Sequence, residues 1–170
     1  MQPRLCSSAD TSIIPGLTTL LQDAVHGGAS VGFMSPLGAD TALRYWKRVF
    51  ESIGDELHLW VVEDAGKVVG SVQLELSTKE NGRHRGEIQK LFVLDSYRGK
   101  SISSKLMAAA EAKAISHGRT LLILDTQAGS KAEAVYRHLG WTAAGQIPDY
   151  AKSPDGTLHA TAYFYKRIEA

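Results

Sequence analysis

Glu87-Ile88-Gln89-Lys90-Leu91-Phe92-Val93-Leu94 leads through Asp95-Ser96-Tyr97 to Arg98-Gly99-Lys100-Ser101-Ile102-Ser103-Ser104, and an Ala-rich stretch follows as far as Ala114. The first block reads as an apolar strand and the last as a helix, with small residues at the junction. A strand that enters a helix through a tight turn aims several unpaired N–H groups and the positive end of the helix dipole at one point, where phosphates bind. Arg98 and Lys100 add charge there. Taken alone, the turn has two readings: a phosphate cradle, or a helix start capped by Ser101 beside solvated basic side chains. Its spacing fits neither a P-loop nor the three-glycine dinucleotide fingerprint, so ATP and NAD drop down the list.

Outward from the turn, the helix runs from about Ser101 to His117 and is closed by Gly118, and the apolar run Thr120-Leu121-Leu122-Ile123-Leu124 follows as a strand. Strand, helix and apolar strand in that order make a βαβ unit with parallel pairing. Upstream, Leu57–Val62 and Val68–Leu76 flank Asp64-Ala65-Gly66-Lys67 as a hairpin. Earlier still, a short strand over residues 3–8 precedes a helix carrying Ile13, Leu17, Leu20, Leu21 and Val25, stopped by Gly27-Gly28. A second helix, capped at Asp40 or Thr41, carries Leu43, Trp46, Val49, Phe50 and Ile53. Between these helices, Gly28 to Pro36 combines turn formers with apolar residues, a candidate functional lip. Downstream, a fourth helix carries Ala132, Val135, Tyr136 and Leu139, and strands near 141–147 and 158–166 flank the turn Ser153-Pro154-Asp155-Gly156. The apolar run Thr161–Tyr165 could pair with a second copy at a sheet edge, giving a homodimer.

The segment from Val93 to Leu106 resembles the acyl-CoA signature of the GNAT superfamily of N-acetyltransferases: Arg or Gln, two residues, Gly, one residue, then Gly or Ala. Arg98 matches, and Ser101 and Ser103 occupy the two glycine positions. A second block, Ala132 to Trp141, resembles the superfamily's Ala, three residues, Tyr, three residues, Gly, aromatic signature; its usual asparagine seven residues before the tyrosine is Gly129 here. Longer blocks, His26 to Met34, Glu87 to Leu91, Leu124 to Ser130 and Ser153 to Gly156, resemble the tabtoxin-resistance class of these enzymes over nearly the whole chain.

The resemblance implies an α/β fold with one mixed α+β sheet, about seven strands and about four helices, in a single domain spanning residues 1–170. It implies acetyl-CoA as co-substrate, its pyrophosphate on the amides of Arg98, Gly99, Lys100, Ser101, Ile102, Ser103 and Ser104 and its pantetheine arm along Leu91, Phe92 and Val93. It further implies an oxyanion donor at a backbone N–H near Phe92 or Val93. Acetyl transfer to an amine needs a proton removed from the ammonium, and the resemblance assigns this to Glu87 and Asp125, with Tyr136 protonating the departing thiolate. Plainer readings remain open: Glu87 paired with Arg83 or Arg85, Asp125 capping the turn 126–129, and Tyr136 as a core aromatic. Acceptor contacts fall to Ser30, Phe33, Gln89, Asp149 and Tyr150, and the acceptor implied is a compact amino-acid-like or antibiotic amine. The rivals are acetylation of a peptide or protein amine, a longer acyl donor, and an acyl-CoA-binding sensor without activity.

Composition narrows the field further. The chain has 170 residues with 44% hydrophobic content, enough for one continuous core. Nineteen basic and 18 acidic residues leave a formal charge of +1, which argues against nonspecific nucleic-acid binding. No signal peptide or membrane-length apolar run is evident, so a soluble, cytoplasmic protein with no membrane partner is expected. Cys6 is the lone cysteine, and the six histidines lack ligand spacing, so no metal is expected; they read as surface or packing residues, with His26 bordering the lip.

Overall fold

The computed structural model describes residues 1–169. In chain order the elements are β1 (Arg4–Leu5), α1 (Ile14–His26), α2 (Ala39–Ser52), β2 (Leu57–Asp64), β3 (Lys67–Leu76), β4 (Arg85–Val93), α3 (Ile102–Ser116), β5 (Leu121–Gln127), α4 (Lys131–His138), β6 (Thr142–Lys152) and β7 (Leu158–Arg167). The seven strands form one sheet in the order β1-β2-β3-β4-β5-β7-β6, parallel only between β4 and β5. The expected mixed sheet with four helices is therefore present. No helix among the described residues is long and apolar enough to cross a membrane.

Helices cover both faces of the sheet. Leu17, Leu20 and Leu21 of α1 and Trp46 of α2 are fully buried on one side, and Leu106, Met107 and Ala110 of α3 on the other. Gly70 marks how closely α3 approaches: a Cβ there would lie 2.9 Å from Ile102 Cγ2 and 3.1 Å from the Phe92 carbonyl oxygen. The side chain is missing where helix and sheet meet.

Two features of β4 shape the site. Its parallel pairing with β5 covers only Arg85–Glu87 against Leu121–Ile123. Beyond that point β4 continues to Val93 and β5 to Gln127 without pairing to each other, so their facing edges carry backbone groups free of a strand partner. The second feature is a bulge: Gln73 pairs with Gln89 and Ser71 with Phe92, so Lys90 and Leu91 together oppose Val72. Lys90 takes φ +51 to accommodate it.

Four local expectations are corrected. Strand β7 lies between β5 and β6 with both edges paired, so Thr161–Tyr165 is not a free edge and cannot pair with a second copy; the edge strands are β1 and β6. The sixth strand runs to Lys152, past the expected 147, and absorbs the extra length through register shifts at Ala143/Gly145 and Ile147/Ala151. Gly38, not Asp40 or Thr41, precedes α2, and Asp40 instead places its charge in the first turn, where the helix dipole favours it. The first strand shrinks to Arg4–Leu5, pairing with Val61 and Trp60.

Candidate active site

The turn after β4 is held from several directions. Leu94 N–H donates to Val69 O (3.0 Å), Asp95 N–H to Asp23 Oδ2 of α1 (3.2 Å), and the Tyr97 hydroxyl to Asp64 Oδ2 (2.9 Å). Lys100 Nζ sits 4.4 Å from the centre of the Tyr97 ring, and Arg98 Nη1 pairs with Asp95 Oδ1 at 2.8 Å. What this bracing leaves unused matters more. Among the described residues, none of the amides of Gly99, Lys100, Ser101, Ile102, Ser103 and Ser104 donates to a protein acceptor; the first helical bond from this end runs from Lys105 N–H to Ser101 O, 3.2 Å. Gly99 and Ser101, on either side of Lys100, take φ +75 and +57, and left-handed residues of this kind are what anion-binding backbone nests are built from. Ser101 caps α3 by position only, since its hydroxyl makes no cap bond.

At the other end of β4, cross-strand register assembles a polar row. Glu75 pairs with Glu87 and Gln73 with Gln89 across β3 and β4; Glu87 pairs with Ile123 across β4 and β5; Asp125 pairs with Tyr163 across β5 and β7. Residues two apart share a face, so Glu75, Gln73, Glu87, Gln89, Asp125 and Tyr163 all lie on one side of the sheet. That side carries α2, because Gln73 Nε2 donates to the Tyr45 hydroxyl at 3.0 Å, and the Tyr45 ring meets Phe33 edge-on at 5.4 Å. Gln89 Nε2 donates to Glu75 Oε2 at 2.8 Å. Burial, then the charges of Glu75 and Asp125, raise the Glu87 carboxyl above its ordinary range. Asp125 opens to solvent, yet the protein crowding it raises its carboxyl too, against the pull of Lys90. Glu87 makes no ion pair with Arg83 or Arg85 among the described residues, and the turn after β5 is capped by Ser130 rather than Asp125.

Lys90 and Glu75 were missed in the sequence. Lys90 Nζ is largely enclosed and donates to Val31 O at 2.9 Å, tying the bulge to the loop between α1 and α2; burial lowers its pKa while Asp125 and Glu87 raise it. In an unbulged strand its parity would place it beside Ile88 on the other face. Glu75 could have been found only from the hairpin register.

Tyr136 belongs to α4, on the opposite face, with its ring 6.3 Å from Phe164 and 6.2 Å from Trp141. Ser130 accepts from Glu133 N–H (3.2 Å), and Glu133 in turn accepts from Gly129 N–H (2.6 Å) and Arg137 Nη2 (2.7 Å). This reciprocal cap fixes α4 just after β5. Burial and the charge of Asp125 raise the Tyr136 phenol, and its hydroxyl has no hydrogen-bond partner among the described residues.

The remaining expected acceptor contacts sit around the rim. Phe33 reaches the row through Tyr45, and the Ser30 hydroxyl donates to Lys152 O at 3.4 Å, latching the loop to β6. Ser35 N–H donates to Pro154 O at 3.0 Å, a second latch. Tyr150 meets Tyr163 edge-on at 5.9 Å. Asp149 is exposed at φ +51 in the β6 bulge and joins no ion pair or side-chain hydrogen bond among the described residues. No cluster of three or more metal-ligating side chains occurs among them either.

Known proteins share this fold and part of its sequence pattern. The sequence model of the acetyltransferase (GNAT) family matches residues 23–141. The fold is similar to an N-acetyltransferase from Staphylococcus aureus Mu50 (TM-score 0.80, 17% identity, 99% of this chain and 100% of that one). It is also similar to a protein from Salmonella typhimurium, provisionally an acetyltransferase, solved with its cofactor acetyl-CoA (0.78, 18%, 100% and 96%). A third similar structure is provisionally a phosphinothricin N-acetyltransferase (0.81, 16%, 99% and 100%). With the family match running from the end of α1 through α4, across the amides of residues 99–104 and the parted strands, the chain belongs to the acetyltransferase (GNAT) family and is an acetyl-CoA-dependent N-acetyltransferase.

Proposed function

We propose that the protein moves the acetyl group of acetyl-CoA directly to the amine of a small, amino-acid-like acceptor, with a toxin or antibiotic as the class favoured. The carrying observation is the pair Glu87 and Asp125, both held above the ordinary carboxylate range beside the gap between β4 and β5. In this reading the amides of residues 99–104 hold the diphosphate, Arg98 and Lys100 add charge, and the open edge of Leu91–Val93 pairs with the pantetheine arm. Glu87 removes the proton of the ammonium and Asp125 orients it. The amine nitrogen then bonds to the thioester carbon as the C–S bond breaks, the nitrogen gives up its second proton to solvent, and Tyr136 gives its proton to the departing sulfur and is reprotonated from solvent. An amide N–H near Phe92 or Val93 faces the carbonyl oxygen as charge develops on it.

Burial pushes the Cys6 thiol up to about 12, which leaves it unreactive and supports direct transfer over a covalent acetyl-enzyme. A lone thiol also suits a reducing compartment such as the cytoplasm. The latches Ser30–Lys152 and Ser35–Pro154 join the lip to the β6–β7 turn, closing one end of the groove. That closure supports a compact acceptor over a long peptide, and the tabtoxin-resistance resemblance points the same way.

The test is a thiol-release assay with acetyl-CoA across amino acids, amine toxins and peptides. Small amines are expected to turn over, and Glu87→Gln and Asp125→Asn to lose about 10²-fold or more in kcat/KM while remaining folded. Wild-type rates in both variants would remove the carboxylate roles, and turnover confined to peptides would remove the small acceptor.

A further inference from the structure

Beyond Asp125 the polar face does not end. A cleft of about 330 Å³ lies between the start of the lip and the β6–β7 turn, lined among others by His26, Ser35, Gln127, Ser153, Asp155 and His159. Gln127 is two residues past Asp125 on β5, so it shares that residue's face about 7 Å farther along. The hydrogen bonding of the cleft fixes which ends of its side chains remain available. The buried Ser153 hydroxyl donates to Gln127 Oε1 at 3.1 Å, which uses the oxygen and leaves both amide protons unspent. Leu37 N–H donates to His26 Nε2 at 3.2 Å, so the neutral ring carries its proton on Nδ1, also unspent. Asp155, the one carboxylate in the lining, is occupied with its own turn, where Oδ1 accepts from Thr157 N–H at 3.0 Å with His159 nearby. The side chains of Gln127 and His26 thus offer donors while their acceptor atoms are already satisfied.

We infer that this cleft binds a carboxylate at the far end of the acceptor, held by the Gln127 amide and His26 Nδ1–H, while the amine lies at Glu87 and Asp125. The inference rests on the acceptor site proposed above and names its chemistry. The spacing sets a length: the α-amine and α-carboxylate of one amino acid are too close to reach both places, whereas an amine about four to six bonds from a carboxylate spans them. An ω-amino acid or a dipeptide-sized molecule has that form. At Gln127 and His26 themselves, donors whose acceptor atoms are already engaged also disfavour a second ammonium.

The experiment uses the full chain and thiol release with ω-amino carboxylates of about two to about six methylenes, each against the n-alkylamine of equal length. Wild type is expected to favour an intermediate length and to prefer that carboxylate over its alkylamine by about tenfold or more in kcat/KM, mainly through KM. In Gln127→Leu this ratio falls toward one, and in Gln127→Glu it inverts in favour of a diamine of the same length. A flat length profile, or an unchanged ratio in both variants, overturns the inference. A second arm needs no turnover: the N-acetylated ω-amino acids of the same range of lengths are titrated calorimetrically into wild type and Gln127→Leu. Binding lost in the variant supports the cleft, and equal binding, or none to wild type, overturns it. If no amine is acetylated while that titration remains Gln127-dependent, the acetyl-transfer reading falls and the carboxylate site stands.

Discussion

Glu87 faces Glu75 across one strand pair and Asp125 across the gap, which serves a base and costs the fold. Its carboxyl binds a proton more tightly in the folded chain than in the unfolded one. Stability contributed by this group is therefore greatest at acid pH and is lost as pH rises through the raised folded value. Glu87→Gln is accordingly expected to melt higher than wild type at pH 7 while losing acetyl transfer, and the difference should shrink as the pH approaches 4; a lower melting point at neutral pH would contradict the electrostatic account. His58 behaves in the opposite sense. Its ring is buried between Trp60 and His117, its Nε2 has no partner among the described residues, and burial, then Lys113 and His117, bring its pKa from 6.5 to about 4. The unfolded chain takes up this proton first, so stability is present above about 6.5 and is lost as pH falls toward 4. Melting temperature measured against pH should fall across that window in wild type and be flatter in His58→Phe. Equal slopes in the two proteins would remove His58 from the acid response.

On the proposed reading the strand, turn and helix from Arg85 to Ser116 hold the cofactor, and Ser101 is the turn's non-glycine residue at positive φ. At φ +57 it holds a left-handed conformation that costs an ordinary L-residue about 1–2 kcal/mol. Ser101→Gly removes that strain together with the Cβ that limits approach to the amides, so it is expected to bind acetyl-CoA a few-fold more tightly with stability changed by under about 1 kcal/mol. Ser101→Val, β-branched where φ is positive, is expected to bind at least about tenfold more weakly. Calorimetry decides, and wild-type affinity in Ser101→Val would move the diphosphate away from this turn. The element itself was legible in the sequence, since an apolar strand, a small-residue turn and an Ala-rich helix differ in period and composition. Its bulge was not: one extra residue on β4 shifts the parity of everything after Gln89, and no local pattern announces it, so Lys90 was overlooked. The place of β7 was also misread, although the signals existed. Pro148, Asp149 and Lys152 mark β6 as the edge strand, whereas Ala162 and Phe164 are buried in β7. Reach across the sheet, from Glu75 to Asp125, depends on strand order and register, which chain order alone does not supply.

At the scale of the whole molecule, the parting of β4 from β5 makes one sheet serve two faces. Glu87 and Asp125 stand on the face carrying α2 and the lip, and Tyr136 stands on the face carrying α4, packed on Phe164. In a continuously paired sheet the backbone would separate them; here pairing stops at Glu87 and Ile123, and Asp125, the first exposed residue beyond, is close enough to raise the Tyr136 phenol. A thioester in the gap would thus meet a base from one side and an acid from the other, which separates the two proton transfers in space. Because the phenol is raised it keeps its proton through neutral pH, the state an acid requires. Its hydroxyl makes no hydrogen bond among the described residues, so removing that single oxygen should leave the packing on Trp141 and Phe164 intact. Tyr136→Phe is therefore expected to change stability by less than about 0.5 kcal/mol. It should leave KM for acetyl-CoA within about twofold and lower kcat by about 10- to 100-fold. A structural role would instead lower the melting temperature and raise KM together. Steady-state kinetics and thermal melts of the one variant separate these outcomes, and an unchanged kcat would mean that the departing sulfur takes its proton from solvent.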